Sequence, residues 1–254
     1  MKNRELFLND PLSFNIPNDG VTTIGTPKTE KEWEVVRYEL QSFVCEGEYQ
    51  RGLESILSNF LGNVDQPKQP AVWVSGFYGS GKSHLVRVLE YLWRDVEFPD
   101  GVRARSLVNL PQEIQDLLRE LNTVGQRQGG LWSAAGTLSA SAAGSVRLAL
   151  LAIAFRSAGL PDDYAQAKFI IWLRQKGYYA QVKQYVESQG ISLQDELNDL
   201  YVSPLIADGL LLAYPEFANS AADARGLIKT QFAKRSDISD DEMLTTLEHV
   251  LEFQ

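Results

Sequence analysis

Eight consecutive residues, Gly76-Phe77-Tyr78-Gly79-Ser80-Gly81-Lys82-Ser83, have the types and spacing of a phosphate-binding loop, G-x-x-x-x-G-K-[ST]. Glycines let a backbone close into a concave nest whose N–H groups point at phosphate oxygens. A helix opening at the lysine adds the positive end of its dipole. In such a loop Lys82 reaches the β- and γ-phosphates of a nucleotide, and the Ser83 hydroxyl helps to hold Mg²⁺. The candidate binding residues are therefore Gly76, Gly79, Ser80, Gly81, Lys82 and Ser83, and the expected cofactors are ATP and Mg²⁺. Lys82 is also the candidate catalytic group, and Ser83 the candidate metal ligand.

A loop of this kind needs a strand before it and a helix after it. Val72, Trp73 and Val74, between Pro70 and Gly76, predict the strand. Leu85, Val88, Leu89 and Leu92 recur at helical spacing behind Lys82, with Arg87, Glu90 and Arg94 on the other side. Upstream, Thr29 and Glu32 form a capping box for a helix carrying Trp33, Val36, Leu40 and Phe43 on one face. A second amphipathic helix follows from about Glu48, with Leu53, Ile56, Leu57, Phe60 and Leu61 as its stripe. Residues 1–28, rich in Asn, Asp, Pro and Gly, read as an extended arm or a partly disordered terminus. Val21 to Ile24 and Arg37 are candidates for an adenine pocket built upstream of the strand, or else core and solvated face.

Downstream, Pro111 opens a helix with Ile114, Leu117, Leu118 and Leu121 on one face, and Gly125 to Gly130 reads as a polar connection. Leu131 to Ala140 is a candidate second strand. Ser145 caps a helix over Val146 to Ala158, apolar on nearly every side, a pattern that predicts burial against a sheet. From Tyr164 onward the patterns are helical, with starts at Ser192, Ser203-Pro204 and Ser239. Phe169, Trp172, Tyr178, Tyr179 and Tyr185 read as helix-packing residues rather than a base-stacking platform. The expected fold class is α/β: a P-loop NTPase core (AAA+/ORC-like) with parallel strands, preceded by two helices and followed by a mostly α-helical region. The expected divisions are an arm over 1–28, the N-terminal part of the core over 29–160, and a helical subdomain or insertion over 161–254.

With 254 residues, 44% hydrophobic and 22% charged, the chain can bury a core of ordinary size. A net charge of −9 argues against a broadly basic nucleic-acid surface. Cys45 is the only cysteine, so no intrachain disulfide can form, and the two histidines, His84 and His249, lie too far apart in sequence to suggest zinc. The charged start MKNRELFLND is unlike a signal peptide, and the apolar run Leu148 to Phe155 is too short to span a bilayer, so a reducing cytoplasm without membrane attachment is expected.

Hydrolysis also needs a hydrophobic strand ending in Asp, often Asp-Glu, to orient Mg²⁺ and water. Leu205-Ile206-Ala207-Asp208 comes nearest, but Pro204 and Gly209 around it favour a helix turn. Asp195-Glu196 sits in an amphipathic pattern and Asp162-Asp163 follows a Gly/Pro break. The chain stops at Gln254 inside a helical pattern without terminating residues, the ending expected of a chain cut short. The residues thus support nucleotide binding better than hydrolysis by this chain alone.

The segments LFLNDPLSFNI, VVRYELQSFV, VWVSGFYGSGKSHLVRVLEYL and AAGTLSASAAGSVRLALLAIAFRSAGLP resemble the N-terminal part of the BrxC/PglY family, the large P-loop ATPases of BREX bacteriophage-exclusion systems. The similarity covers roughly the first two-thirds of the chain and is clearest around Val72 to Leu92. It implies a bacterial host, ATPase activity in the full-length protein, a role in defence against phage, and homo-oligomers working with other BREX proteins on or near DNA. Of the family's site residues, only Gly76, Gly79, Ser80, Gly81, Lys82 and Ser83 carry over, for nucleotide and Mg²⁺. Two other readings are an assembly module whose nucleotide is structural and an AAA+-like replication or repair loader. A small-molecule kinase is disfavoured because neither a phosphate-acceptor site nor an arginine-rich lid stands out.

Overall fold

A computed structural model describes Gly25 and residues 27–66, 69–138 and 145–254. Most of the arm expected over 1–28, including the adenine-pocket candidates Val21 to Ile24, lies outside the described residues, as do the last two residues of the stretch 131–140. The described residues through Ala135 form one compact unit and those from Gly136 to Gln254 form another.

The α/β core with parallel strands expected from the sequence is corrected here: the described residues form helices and no strand, so the fold is all-α. Their one piece of β pairing is an isolated antiparallel bridge between Glu97 and Arg103. Val72, Trp73 and Val74 run into the glycine loop without regular structure and are exposed, Trp73 by 90%. The physical reason lies in pairing. A strand is held by ladder hydrogen bonds to a neighbour and by a covered face, and an unpaired one leaves both to water. The proposed second strand cannot supply them, because 131–138 is also irregular.

In the first unit the helices are α1 (Glu30–Gln41), α2 (Gly47–Asn63), α3 (Lys82–Arg94), the single turn α4 (Ala104–Leu107) and α5 (Gln112–Arg127). The capping box forms as expected, with the Thr29 hydroxyl accepting from the Glu32 N–H. Side chains at helical spacing meet in one core: Val36, Leu40 and Phe43 with Leu53 and Leu57, Leu85, Val88 and Leu92, and Ile114, Leu118 and Leu121. α2 packs on α5, and α3 touches α1, α4 and α5. The stretch expected to be a connection after residue 125 is helical as far as Arg127. Gly125 stays inside α5 because Leu131 folds back onto it, and a Cβ there would lie 2.7 Å from Leu131 Cδ2.

The C-terminal end of α3 is pinned by Arg105. Its guanidinium donates to the carbonyls of Leu92 (2.7 Å) and Trp93 (3.1 Å) and to Leu118 of α5 (3.0 Å). Leu92 O receives only a long bond from the Asp95 N–H (3.4 Å), and last-turn carbonyls carry the negative end of the dipole, so a cation there satisfies both needs. Asp95 ends the helix in the left-handed region (φ +50°), and its carboxylate accepts from the Arg105 N–H at 3.0 Å.

The second unit contains α6 (Val146–Ser157), α7 (Tyr164–Lys176), α8 (Tyr179–Ser188), α9 (Leu193–Glu196), α10 (Pro204–Ala213), α11 (Ala221–Gln231) and α12 (Asp240–Leu251). Hydroxyls of Ser145, Ser192, Ser203 and Ser239 each accept from the backbone N–H three residues on, placing four helix starts where the sequence predicts them. α6 packs against α12 and α7, not against a sheet. Phe169 is fully buried and meets half-buried Trp172 and buried Phe232 at ring distances of 6.2 and 5.3 Å, so these three pack against one another.

The Tyr164 hydroxyl donates to Glu242 of α12 at 2.7 Å. Burial, followed by that bond to a carboxylate, raises its pKa from 10 to about 12. The folded state thus favours the neutral phenol. Its contribution to stability is complete below pH 10 and is lost as pH rises towards 12. Chemical denaturation of the whole chain across that window is expected to show falling stability, with a shallower fall in Tyr164→Phe. Equal slopes in the two proteins would contradict the assignment.

Candidate functional site

The loop Gly76–Ser83 is solvent-facing, with residues 71–80 all exposed, and it leads directly into α3 at Lys82. Two of its glycines have left-handed backbones, Gly79 and Gly81 at φ +78°, a region that side chains with a Cβ enter at a cost. Gly76 serves a different purpose. A Cβ there would lie 2.7 Å from the Ser80 hydroxyl and 3.8 Å from Lys82 Cδ, inside the turn that the loop encloses.

Lys82 folds back into that turn. Its ammonium donates to the carbonyls of Gly76 (2.9 Å) and Phe77 (2.7 Å) and lies 3.5 Å from the Ser80 hydroxyl. All three partners are neutral oxygens of its own loop, so among the described residues no carboxylate neutralises this cation. Behind it, the Leu85 N–H makes the first α-type bond of α3, to Gly81 O at 2.9 Å. The N–H groups of Lys82, Ser83 and His84 therefore precede the helical ladder, as first-turn donors do. Ser83 sits exposed in that first turn.

The loop residues are neighbours in sequence, whereas the groups that hold them in place come from elsewhere in the chain. Tyr49, in the first turn of α2, donates its hydroxyl to the Ser80 carbonyl. His84 Nε2 lies 2.7 Å from the Glu39 carbonyl of α1, a contact in which that nitrogen carries the proton. The Glu39 carboxylate meets Arg87 Nε at 2.7 Å, with side chains only 12% and 6% exposed. The two charges touch without the alignment of a hydrogen bond, so this pair is held by Coulomb attraction in a dry setting. Arg87 belongs to the charged side of α3 in a helical-wheel reading, yet it is buried. Nearby Tyr91 stays a neutral phenol, its pKa pushed well up by burial. Only chain folding joins Glu39, Tyr49, His84 and Arg87, so their sequence spacing gives no signal.

Arg37, a candidate adenine contact, pairs with Asp100 at 2.6 Å and lies 4.8 Å over the Phe98 ring. Asp208 lies in α10 and Asp195-Glu196 in α9, both in the second unit and both on helices, as the sequence predicts. Phe77 and Tyr78 stand out from the loop at 90% and 96% exposure.

The loop carries groups that a phosphate can use: an ammonium held only by neutral oxygens, two left-handed glycines and, at the start of α3, first-turn N–H groups. For Mg²⁺ the loop offers the Ser83 hydroxyl, and this cation commonly completes its shell with phosphate oxygens and water. Among the described residues, no group of three or more His, Cys, Asp or Glu side chains could hold a metal ion by itself. No helix among them is long and apolar enough to cross a membrane. Compared with known proteins, the chain matches no family model and no solved structure.

Glu39 and Arg87 differ in how they tolerate losing each other. A carboxyl can take up a proton, whereas a guanidinium stays charged. Glu39→Ala should therefore destabilise the chain by about 3–5 kcal/mol, the range for an orphaned buried charge, and Arg87→Ala should cost less. Equilibrium denaturation at pH 7 measures both, and a Glu39→Ala effect below about 1 kcal/mol, as for an exposed pair, would contradict this.

Proposed function

We propose that this chain binds the phosphates of ATP, with Mg²⁺, at Gly76–Ser83, as the nucleotide-binding component of a BREX phage-defence system. The observation that carries the phosphate site is the placement of the Lys82 ammonium within its own loop, on neutral carbonyl oxygens, at the start of α3. A phosphate oxygen offers that ammonium a charged acceptor in place of neutral ones, and charge-assisted hydrogen bonds are roughly twice as strong. Backbone N–H groups around Gly79 and Gly81, and those of Lys82 and Ser83, supply donors to the same anion. Mg²⁺, when bound, neutralises phosphate charge and bridges phosphate oxygens, with Ser83 as its protein ligand.

The assignment to phage defence rests on the sequence resemblance, as do the cytoplasmic location, the BREX protein partners, the oligomer and the work on or near DNA. A second reading, a nucleotide-dependent assembly module without hydrolysis by this chain, is favoured by the sequence. The nearest candidate for the acidic hydrolysis motif, Leu205 to Asp208, lies on a helix of the second unit. In that reading the bound nucleotide is structural and holds the first unit in the form that partners recognise.

Replacing Lys82 removes a charged donor to the phosphates, worth roughly a 10- to 150-fold change in affinity on the 1.5–3 kcal/mol scale of such bonds. Titration with a fluorescent ATP analogue and Mg²⁺ is expected to show that loss in Lys82→Ala, with the thermal unfolding of the ligand-free chain little changed. Equal affinity in variant and parent would contradict the phosphate site. Phage exclusion that persists in cells carrying Lys82→Ala, with binding lost, would contradict the defence role.

A further inference from the structure

We propose that Tyr49 is a positioning residue for the phosphate loop, an inference that rests on Gly76–Ser83 being a phosphate site. Its hydroxyl donates to the Ser80 carbonyl across 31 positions of sequence, and this bond ties the loop to α2. In a trans peptide the carbonyl and the following N–H point in opposite directions. Holding the Ser80 oxygen towards Tyr49 therefore directs the Gly81 N–H the opposite way. Gly81 is where the chain must be left-handed before α3 can begin.

Two further observations support a dedicated contact. A Cβ at Gly81 would lie 3.3 Å from Tyr49 Cζ, tighter than ordinary packing, so the glycine also makes room for this phenol. The ring is itself braced. It meets Phe43 edge-on at 5.6 Å, and Phe43, which is buried, meets His84 of α3 edge-on at 5.4 Å. Phe43 thus sets Tyr49 and the first turn of α3 in fixed relation.

Tyr49 and Lys82 have different fates when phosphate arrives. Lys82 must give up the Gly76 and Phe77 carbonyls to reach the anion, whereas Ser80 O is a separate acceptor that Tyr49 keeps. The tyrosine thus preserves the shape of the turn while the lysine changes partners. Preorganisation of this kind raises affinity without a direct contact to the ligand.

Tyr49→Phe keeps the ring and removes only the hydroxyl. Its dissociation constant for a fluorescent ATP analogue with Mg²⁺ is expected to rise about three- to tenfold, the effect of one hydrogen bond. The thermal unfolding of the ligand-free protein should stay close to that of the parent, while the Gly81 amide resonance moves. Parent-like affinity in Tyr49→Phe, with Lys82→Ala defective, would overturn the role of Tyr49 and leave the phosphate site standing. Weakened binding matched by a comparable loss of thermal stability would also overturn it, since the hydroxyl would then serve packing. Absence of binding by the parent chain would remove the phosphate site and this inference together.

Discussion

The position of the glycine loop depends on Glu39, which anchors α3 to α1 twice. Its carbonyl meets His84 and its carboxylate meets Arg87, three residues further along α3. Residues three apart on a helix lie on one face, so both contacts fix the same side of α3 against the same turn of α1. A buried ion pair is a poor source of net stability against well-packed apolar residues, but a strong penalty attaches to breaking it. Here that penalty selects one register of α3 on α1. Arg105 then fixes the other end of α3 by drawing together its last carbonyls and α5.

With α3 fixed, the loop at its start needs little else. In an α/β nucleotide-binding fold, a strand within a sheet holds the other end of such a loop. In this chain the residues before the loop are exposed and unpaired, and the helices take up the task. Tyr49 holds Ser80, Lys82 draws in Gly76 and Phe77, and Gly79 and Gly81 turn the backbone left-handed between them. The cradle is therefore built from one helix, one tyrosine and its own lysine. Exposed Trp73, Phe77 and Tyr78 are the visible consequence of a loop without a sheet beneath it.

Local rules were legible in the residues, and tertiary ones were not. The capping box at Thr29 and the serine caps of α6, α9, α10 and α12 depend on side chains reaching three residues along, so spacing alone reveals them. The glycine positions of the loop were equally readable, since Gly79 and Gly81 are placed by backbone handedness. Val72 to Val74 misled because β-branched composition describes what a strand can be, while its existence depends on a partner elsewhere. Gly125 misled in the same way: a glycine that looks like a break is retained within α5 by Leu131 lying over it. Tyr49, Glu39 and Arg87 gave no sign because each looks like one more residue of an amphipathic helix.

The proposed function requires that the donors at the start of α3 receive a phosphate group. The most direct test is the backbone amide spectrum of the ¹⁵N-labelled chain titrated with Mg²⁺ and ATP, then with inorganic triphosphate, then with adenosine. The amides of Gly79, Gly81, Lys82 and Ser83 are expected to move with ATP and with triphosphate and to stay in place with adenosine. Amides of the loop that ignore both phosphate ligands, or that respond to adenosine alone, would contradict the proposed function.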